Sequence, residues 1–105
     1  MRTTSKNSSQ TSFHGHTVEA TYNHLVKTVG FPHDRGDGGY KVHFGWTFEN
    51  EDGTVFTIYD WKAGTFGPNT TVEWHIGAHN PKAAEKGAAA LERALAKIPE
   101  NGTLV

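Results

Sequence analysis

From Tyr40 to Glu49 the chain alternates. Tyr40, Val42, Phe44, Trp46 and Phe48 fall on one side of an extended backbone, and Lys41, His43, Gly45, Thr47 and Glu49 fall on the other. At helical spacing these five large apolar residues would scatter around the cylinder, so the pattern demands a β-strand with one buried face. Two further segments continue it. The turn ENEDG contains Asp52-Gly53, a hairpin-forming pair, and TVFTIYDWK returns from it. After the loop AGTFGPN, the segment TTVEWHI places Val72, Trp74 and Ile76 on one side and Thr71, Glu73 and His75 on the other. The return strand carries bulk on both faces: Val55, Thr57, Tyr59 and Trp61 against Phe56, Ile58 and Asp60. Phe56 and Ile58 match the inner faces of the neighbouring strands best. The inverse assignment, which would expose Phe56, Ile58 and Asp60, stays open at this point.

Two helices flank these strands. Val18, Tyr22, Leu25, Val26 and Val29 share one helical face, which predicts a helix capped by Thr17 or Thr21 and stopped at Gly30 and Pro32. Ala84, Ala88, Leu91, Leu95 and Ile98 predict a second helix, with Asn80 as N-cap, Pro81 in the first turn and Pro99 as stop. A short strand around Phe13 precedes the first helix. Residues 1–10 are polar and without period, and are expected to form a flexible N-terminal tail. Residues 11–105 then make a single α+β domain: a small antiparallel sheet in β-α-β-β-β-α order, with two helices on one face.

Composition narrows the functional classes. The chain of 105 residues has no cysteine, which excludes disulfides, zinc ribbons and thiol catalysis. Its net charge of −1 lacks the basic footprint of a general nucleic-acid binder. No apolar run reaches membrane-spanning length and the N-terminal residues lack a signal-peptide core, so a cytosolic location without membrane association is expected. Arg35-Gly36-Asp37 lies in a segment whose glycines and aspartates read as a turn. Seven histidines make the net charge sensitive to pH near 6.

Two helices cover one sheet face only. The other would present Lys41, His43, Tyr59, Trp61, Glu73 and His75, a set that mixes aromatic rings with cations and a carboxylate. Three explanations compete. The rings stack on a nucleobase while lysine and imidazoles reach phosphate; they anchor a protein partner or a second copy; or the N-terminal segment or the loop carrying Phe66 covers them. Lys82 stands at the start of the second helix, where N–H groups and the helix dipole favour an anion.

The pairs His14/His16 and Glu73/His75 have the two-residue spacing of metal ligands on a strand, with His43 as a third ligand, but spacing alone does not make them converge. A catalytic reading would take His75 or His43 as base with Asp60 or Glu73 to orient it. No nucleophile motif accompanies them, so no catalytic residue, metal or cofactor is assigned.

The segments TYNHLVKTVGFP, EDGTVFTIYDWK and VEWHIG together resemble a group of short proteins encoded by tailed bacteriophages. The resemblance spans roughly residues 11–98. His14 and His16 depart from it, standing where an acidic or amide residue is expected. It implies a non-enzymatic accessory protein in the host cell cytoplasm that counters host defence; a homo-oligomer is expected separately, from the modest stability reserve of so short a chain. Its partner would be a small anionic nucleotide-like ligand or a host protein. A small metal-dependent hydrolase built on His43, Glu73 and His75 is the third alternative.

Overall fold

The described parts of the three alternating segments pair side by side at the centre of a sheet, in a computed structural model that describes residues 1–4, 6, 10–33, 44–61 and 66–98, so Tyr40 to His43 lie outside it. In chain order the elements are β1 (Arg2–Thr3), β2 (Ser12–Thr21), α1 (Tyr22–Val29), β3 (Gly45–Glu49), β4 (Val55–Asp60), β5 (Thr71–Ala78) and α2 (Pro81–Lys97). The five strands lie in the order β1-β3-β4-β5-β2, every neighbouring pair antiparallel. Both helices pack on one face, so the fold is the expected small α+β arrangement.

Register fixes which side chains go inward. Trp46 faces Ile58, which faces Ile76; Phe48 faces Phe56, which faces Ala78. Trp74 faces Val18 and Val72 faces Ala20 on β2. All of these are buried, so Phe56 and Ile58 are the inner residues of β4 and the inverse assignment is excluded. Leu25 of α1 and Ala84, Ala88, Leu91 and Leu95 of α2 close the core over them. Gly87 lets α2 lie directly on the sheet: a Cβ there would sit 2.5 Å from Cγ of Phe56. The indole N–H groups of the two inner tryptophans are satisfied by backbone, Trp46 donating to the Gly30 carbonyl and Trp74 to the Ala20 carbonyl, each at 2.9 Å. Burying these large rings therefore carries no orphaned donor.

Three local features differ from the sequence reading. The first helix starts at Tyr22, because Thr21 accepts the His24 N–H and is the true cap, whereas Thr17 and Val18 are strand residues. Val18 satisfies the helical spacing to Tyr22 and also the two-residue alternation with Ala20, and pairing with β5 decides for the strand. Second, β2 is ten residues long and reaches the helix directly. Third, the segment expected to be a flexible tail supplies β1. Arg2 and Thr3 pair with Glu49 and Phe48, Met1 packs against the core, and both Arg2 and Lys6 reach Glu49 at 3.3 Å. An anchoring methionine and two cations on one carboxylate hold a segment whose composition alone reads as mobile. Among the described residues no helix is long and apolar enough to cross a membrane.

The β3–β4 turn is tied to α2. Asn50 N–H bonds the Thr54 carbonyl at 2.7 Å, and Gly53 adopts φ 84° to close the turn. Buried Asn50 also donates to the Ala83 carbonyl in the first turn of α2, and Lys86 pairs with Asp52.

Candidate functional site

The face of the sheet opposite the helices is organised in three cross-strand rows. The middle row runs Gly45, Tyr59, His75, Thr17. The next runs Thr47, Thr57, Gly77, Phe13. On the other side of the middle row, Glu73 faces Glu19, and continuing the β4–β5 register by one residue sets Trp61 opposite Glu73.

In the middle of this face His75 is held between two rings. Phe13 stacks on it with centroids 4.2 Å apart and planes at 24°, and Tyr59 lies 5.6 Å away on the other side. Gly77 makes room for this row, since a Cβ there would meet Thr57 Oγ1 at 2.5 Å and Tyr59 Cε1 at 3.3 Å. Burial among these neighbours pushes the Tyr59 phenol above its ordinary value. Phe13 and Trp61 nevertheless remain 44% and 43% exposed. Exposed aromatic side chains grouped on a sheet face are a feature of interaction surfaces.

Beside His75 a groove of about 330 Å³ opens between the end of β4 and the start of β5, lined by Trp61, Phe66, Thr70, Thr71, Val72, Glu73 and His75. Phe66 also borders a smaller apolar depression of about 230 Å³ with Tyr22, Phe44 and Pro68. Its ring meets Trp74 edge-on at 5.9 Å, so Phe66 is a wall anchored in the core.

Of the residues singled out from sequence, the structure brings Trp61, Glu73 and His75 into this groove and places Tyr59 next to His75. Lys82 is exposed in the first turn of α2, on the helix layer, and so belongs to a different surface. Lys41 and His43 lie outside the described residues, as does Arg35-Gly36-Asp37. Sequence reasoning missed Phe13 and Glu19, the β2 partners of this face. A helical face that begins at Val18 takes Glu19 out of the sheet, and it leaves Phe13 in a short strand without a register.

The His14-Gly15-His16 segment departs from the regular strand alternation on which the reading of His14 and His16 as a ligand pair rests. Between Phe13–Gly77 and Thr17–His75, β2 has three residues, His14, Gly15 and His16, where β5 has one, Ile76, and Gly15 takes φ 89° in this insertion. His14 Nε2 donates to the Ala78 carbonyl at 3.0 Å, which commits that nitrogen to the strand end. Among the described residues no three of His, Asp or Glu are grouped to hold a metal ion. Asp60, a candidate to orient a base, is fully buried on the helix side and accepts the Phe44 N–H at 2.8 Å, away from His75. No protein-family model, curated protein or solved structure gives a significant match to this chain.

Proposed function

We propose that the chain is a non-enzymatic binding protein that captures a small nucleotide-like ligand on the open face of its sheet. The observation that carries this reading is the groove in which an exposed tryptophan, a ring-held histidine and a carboxylate meet. Trp61 stacks on a base, a contact of about 1–3 kcal/mol. His75, fixed by Phe13 and Tyr59, points a ring nitrogen to the anionic part of the ligand. Lys41 and His43, which alternate with apolar residues in the sequence before β3, are assigned to phosphate on sequence grounds, and Lys82 is reserved for a ligand long enough to pass the sheet edge. The resemblance to short phage proteins adds the setting: a phage accessory protein in the host cytoplasm, assembled from several copies, that withdraws a nucleotide signal from host defence.

The test is incubation of the protein with a panel of cyclic and linear nucleotides, removal of free ligand, release by heating and identification of what is released. Intact nucleotide is the expected result. A hydrolysed product abolished by chelator would replace this reading with the hydrolase alternative. Retention of no nucleotide would overturn both and leave the aromatic face as a docking surface for a host protein. Tryptophan fluorescence follows binding directly, because Trp46 and Trp74 are 1% and 0% exposed and only Trp61 meets solvent. Sedimentation with and without ligand tests the assembly.

A further inference from the structure

We propose that the protein carries a second small-molecule site, between the β3–β4 turn and α2, that takes a zwitterion with an ammonium at one end of a short carbon chain and a carboxylate at the other. It is separate from the open sheet face and does not depend on the nucleotide reading.

The site is a cleft of about 310 Å³, a volume at the small end of clefts that hold small molecules. Asn50, Glu51 and Asp52 of the turn form one wall. Lys86, Ala89, Ala90 and Arg93 share one stripe of α2 and form the floor, which the two alanines at its middle keep low. Met1, packed against the core, borders it as well. The turn is latched to α2 without any ligand. Asn50 Nδ2 donates to Thr54 Oγ1 at 2.9 Å and to the Ala83 carbonyl at 3.3 Å, and Lys86 pairs with Asp52.

Charge gives the cleft two unlike ends. The Asp52 carboxylate is already occupied: it accepts the Thr54 N–H at 3.0 Å, the Thr54 hydroxyl at 2.6 Å and the Lys86 ammonium. Lys86 and Asp52 therefore neutralise each other. Glu51 and Arg93 are different. Both line the cleft and are exposed, and among the described residues neither forms a hydrogen bond or an ion pair. The helix neighbours that could pair with Arg93, three and four residues away, are Ala89, Ala90, Ala96 and Lys97, so α2 offers it no acid. Glu51 adjoins the residue that meets Lys86, and Arg93 stands seven residues further along α2, on the order of 10 Å by helical rise. A carboxylate only accepts, and a guanidinium donates in a planar fork. The turn end thus suits an ammonium and the Arg93 end a carboxylate, with methylenes lying over Ala89 and Ala90. A dianion would meet Glu51 and a dication Arg93, each a like-charge clash.

The experiment is a chemical-shift titration of nitrogen-15-labelled protein with 4-aminobutanoate, 6-aminohexanoate and 8-aminooctanoate, and with hexanoate and hexylamine as single-charge probes. The amides of Ala89, Ala90 and Arg93 are followed. The middle length is expected to bind best, because both side chains reach into the span. It should bind roughly tenfold or more tighter than hexanoate or hexylamine. Arg93→Gln is expected to reduce 6-aminohexanoate to the affinity of hexylamine and leave hexylamine unchanged. Glu51→Gln should reduce it to the affinity of hexanoate and leave hexanoate unchanged. Ala89→Leu, which keeps a good helix former on an exposed position, should fill the floor and abolish the shifts. Unchanged spectra elsewhere show that the variants fold. Equal binding of zwitterion, hexanoate and hexylamine would overturn the proposal. So would an affinity unmoved by both charge variants, shifts confined to residues outside the cleft, or no shift with any of the probes.

Discussion

At the scale of single residues, the open face trades stability for accessibility. Glu19 and Glu73 are like charges directly opposite on neighbouring strands, an arrangement that destabilises a sheet. Glu19→Gln is expected to raise the stability of the ligand-free protein by about 0.5 kcal/mol in urea unfolding, most clearly at low salt. Gly77→Ala should cost about 1–3 kcal/mol, because its Cβ would overlap Thr57 Oγ1. Adding Thr57→Ala in the same chain should recover much of that loss, and urea midpoints of the single and double variants check the coupling. Tyr59 gives a pH prediction. Its folded value lies above the ordinary 10.0 because burial disfavours the phenolate. The folded state therefore holds its proton more tightly than the unfolded chain. Its contribution is complete below pH 10 and is lost as pH rises through the folded value. Urea midpoints should fall more steeply above pH 10 in the native protein than in Tyr59→Phe.

At the scale of elements, caps and tethers decide boundaries that side-chain periodicity leaves ambiguous. Asn80 and Pro81 were readable as the start of α2 because cap chemistry is local: Asn80 accepts the Ala83 N–H at 2.8 Å. The start of α1 was not, because Val18 fits two periods and only its pairing with Trp74 settles which one applies. The same limit applied to the site. Tyr59, Trp61, Glu73 and His75 were legible as one face from alternation. Phe13 and Glu19 were not, since a strand's partner is a long-range fact that no local pattern encodes. The tie between the helices was also unreadable. His24 Nε2 donates to carbonyls at the end of α2, Leu95 at 3.1 Å and Ile98, satisfying groups that a helix end leaves open. His24→Ala should therefore fray the last turn of α2 and lower stability by roughly 1 kcal/mol, with exchange protection lost selectively at that helix end.

At the scale of the whole molecule, the core lies between one sheet face and two helices, and the two outer edges of the sheet are treated differently. At one edge, β3 is covered by β1 and by His33, whose Nδ1 accepts the Thr47 N–H at 3.0 Å. A chain shortened by its first six residues should lose stability through the Met1 contacts and the Glu49 ion pairs, measured as a lower urea midpoint. Acid should act at the same end of the molecule. Desolvation opposes ionisation of Glu49, but the Lys6 hydrogen bond and the Arg2 and Lys6 charges hold it below its ordinary 4.5. The Lys86 hydrogen bond, with those of Thr54, holds Asp52 well below the usual carboxylate range. Both contributions are complete above pH 4.5 and are lost as pH falls through the lower folded values, so Asp52→Asn should flatten the acid limb of the stability curve. The opposite edge is β2, long and without a further strand among the described residues. Its two-residue insertion at His14-Gly15-His16 breaks the run of outward N–H and C=O groups that a strand from another copy would need. A break of this kind opposes edge-to-edge growth into ribbons. Excision of Gly15 and His16 would restore an even hydrogen-bond ladder along that edge and should promote edge-to-edge association of copies, visible as time-dependent light scattering.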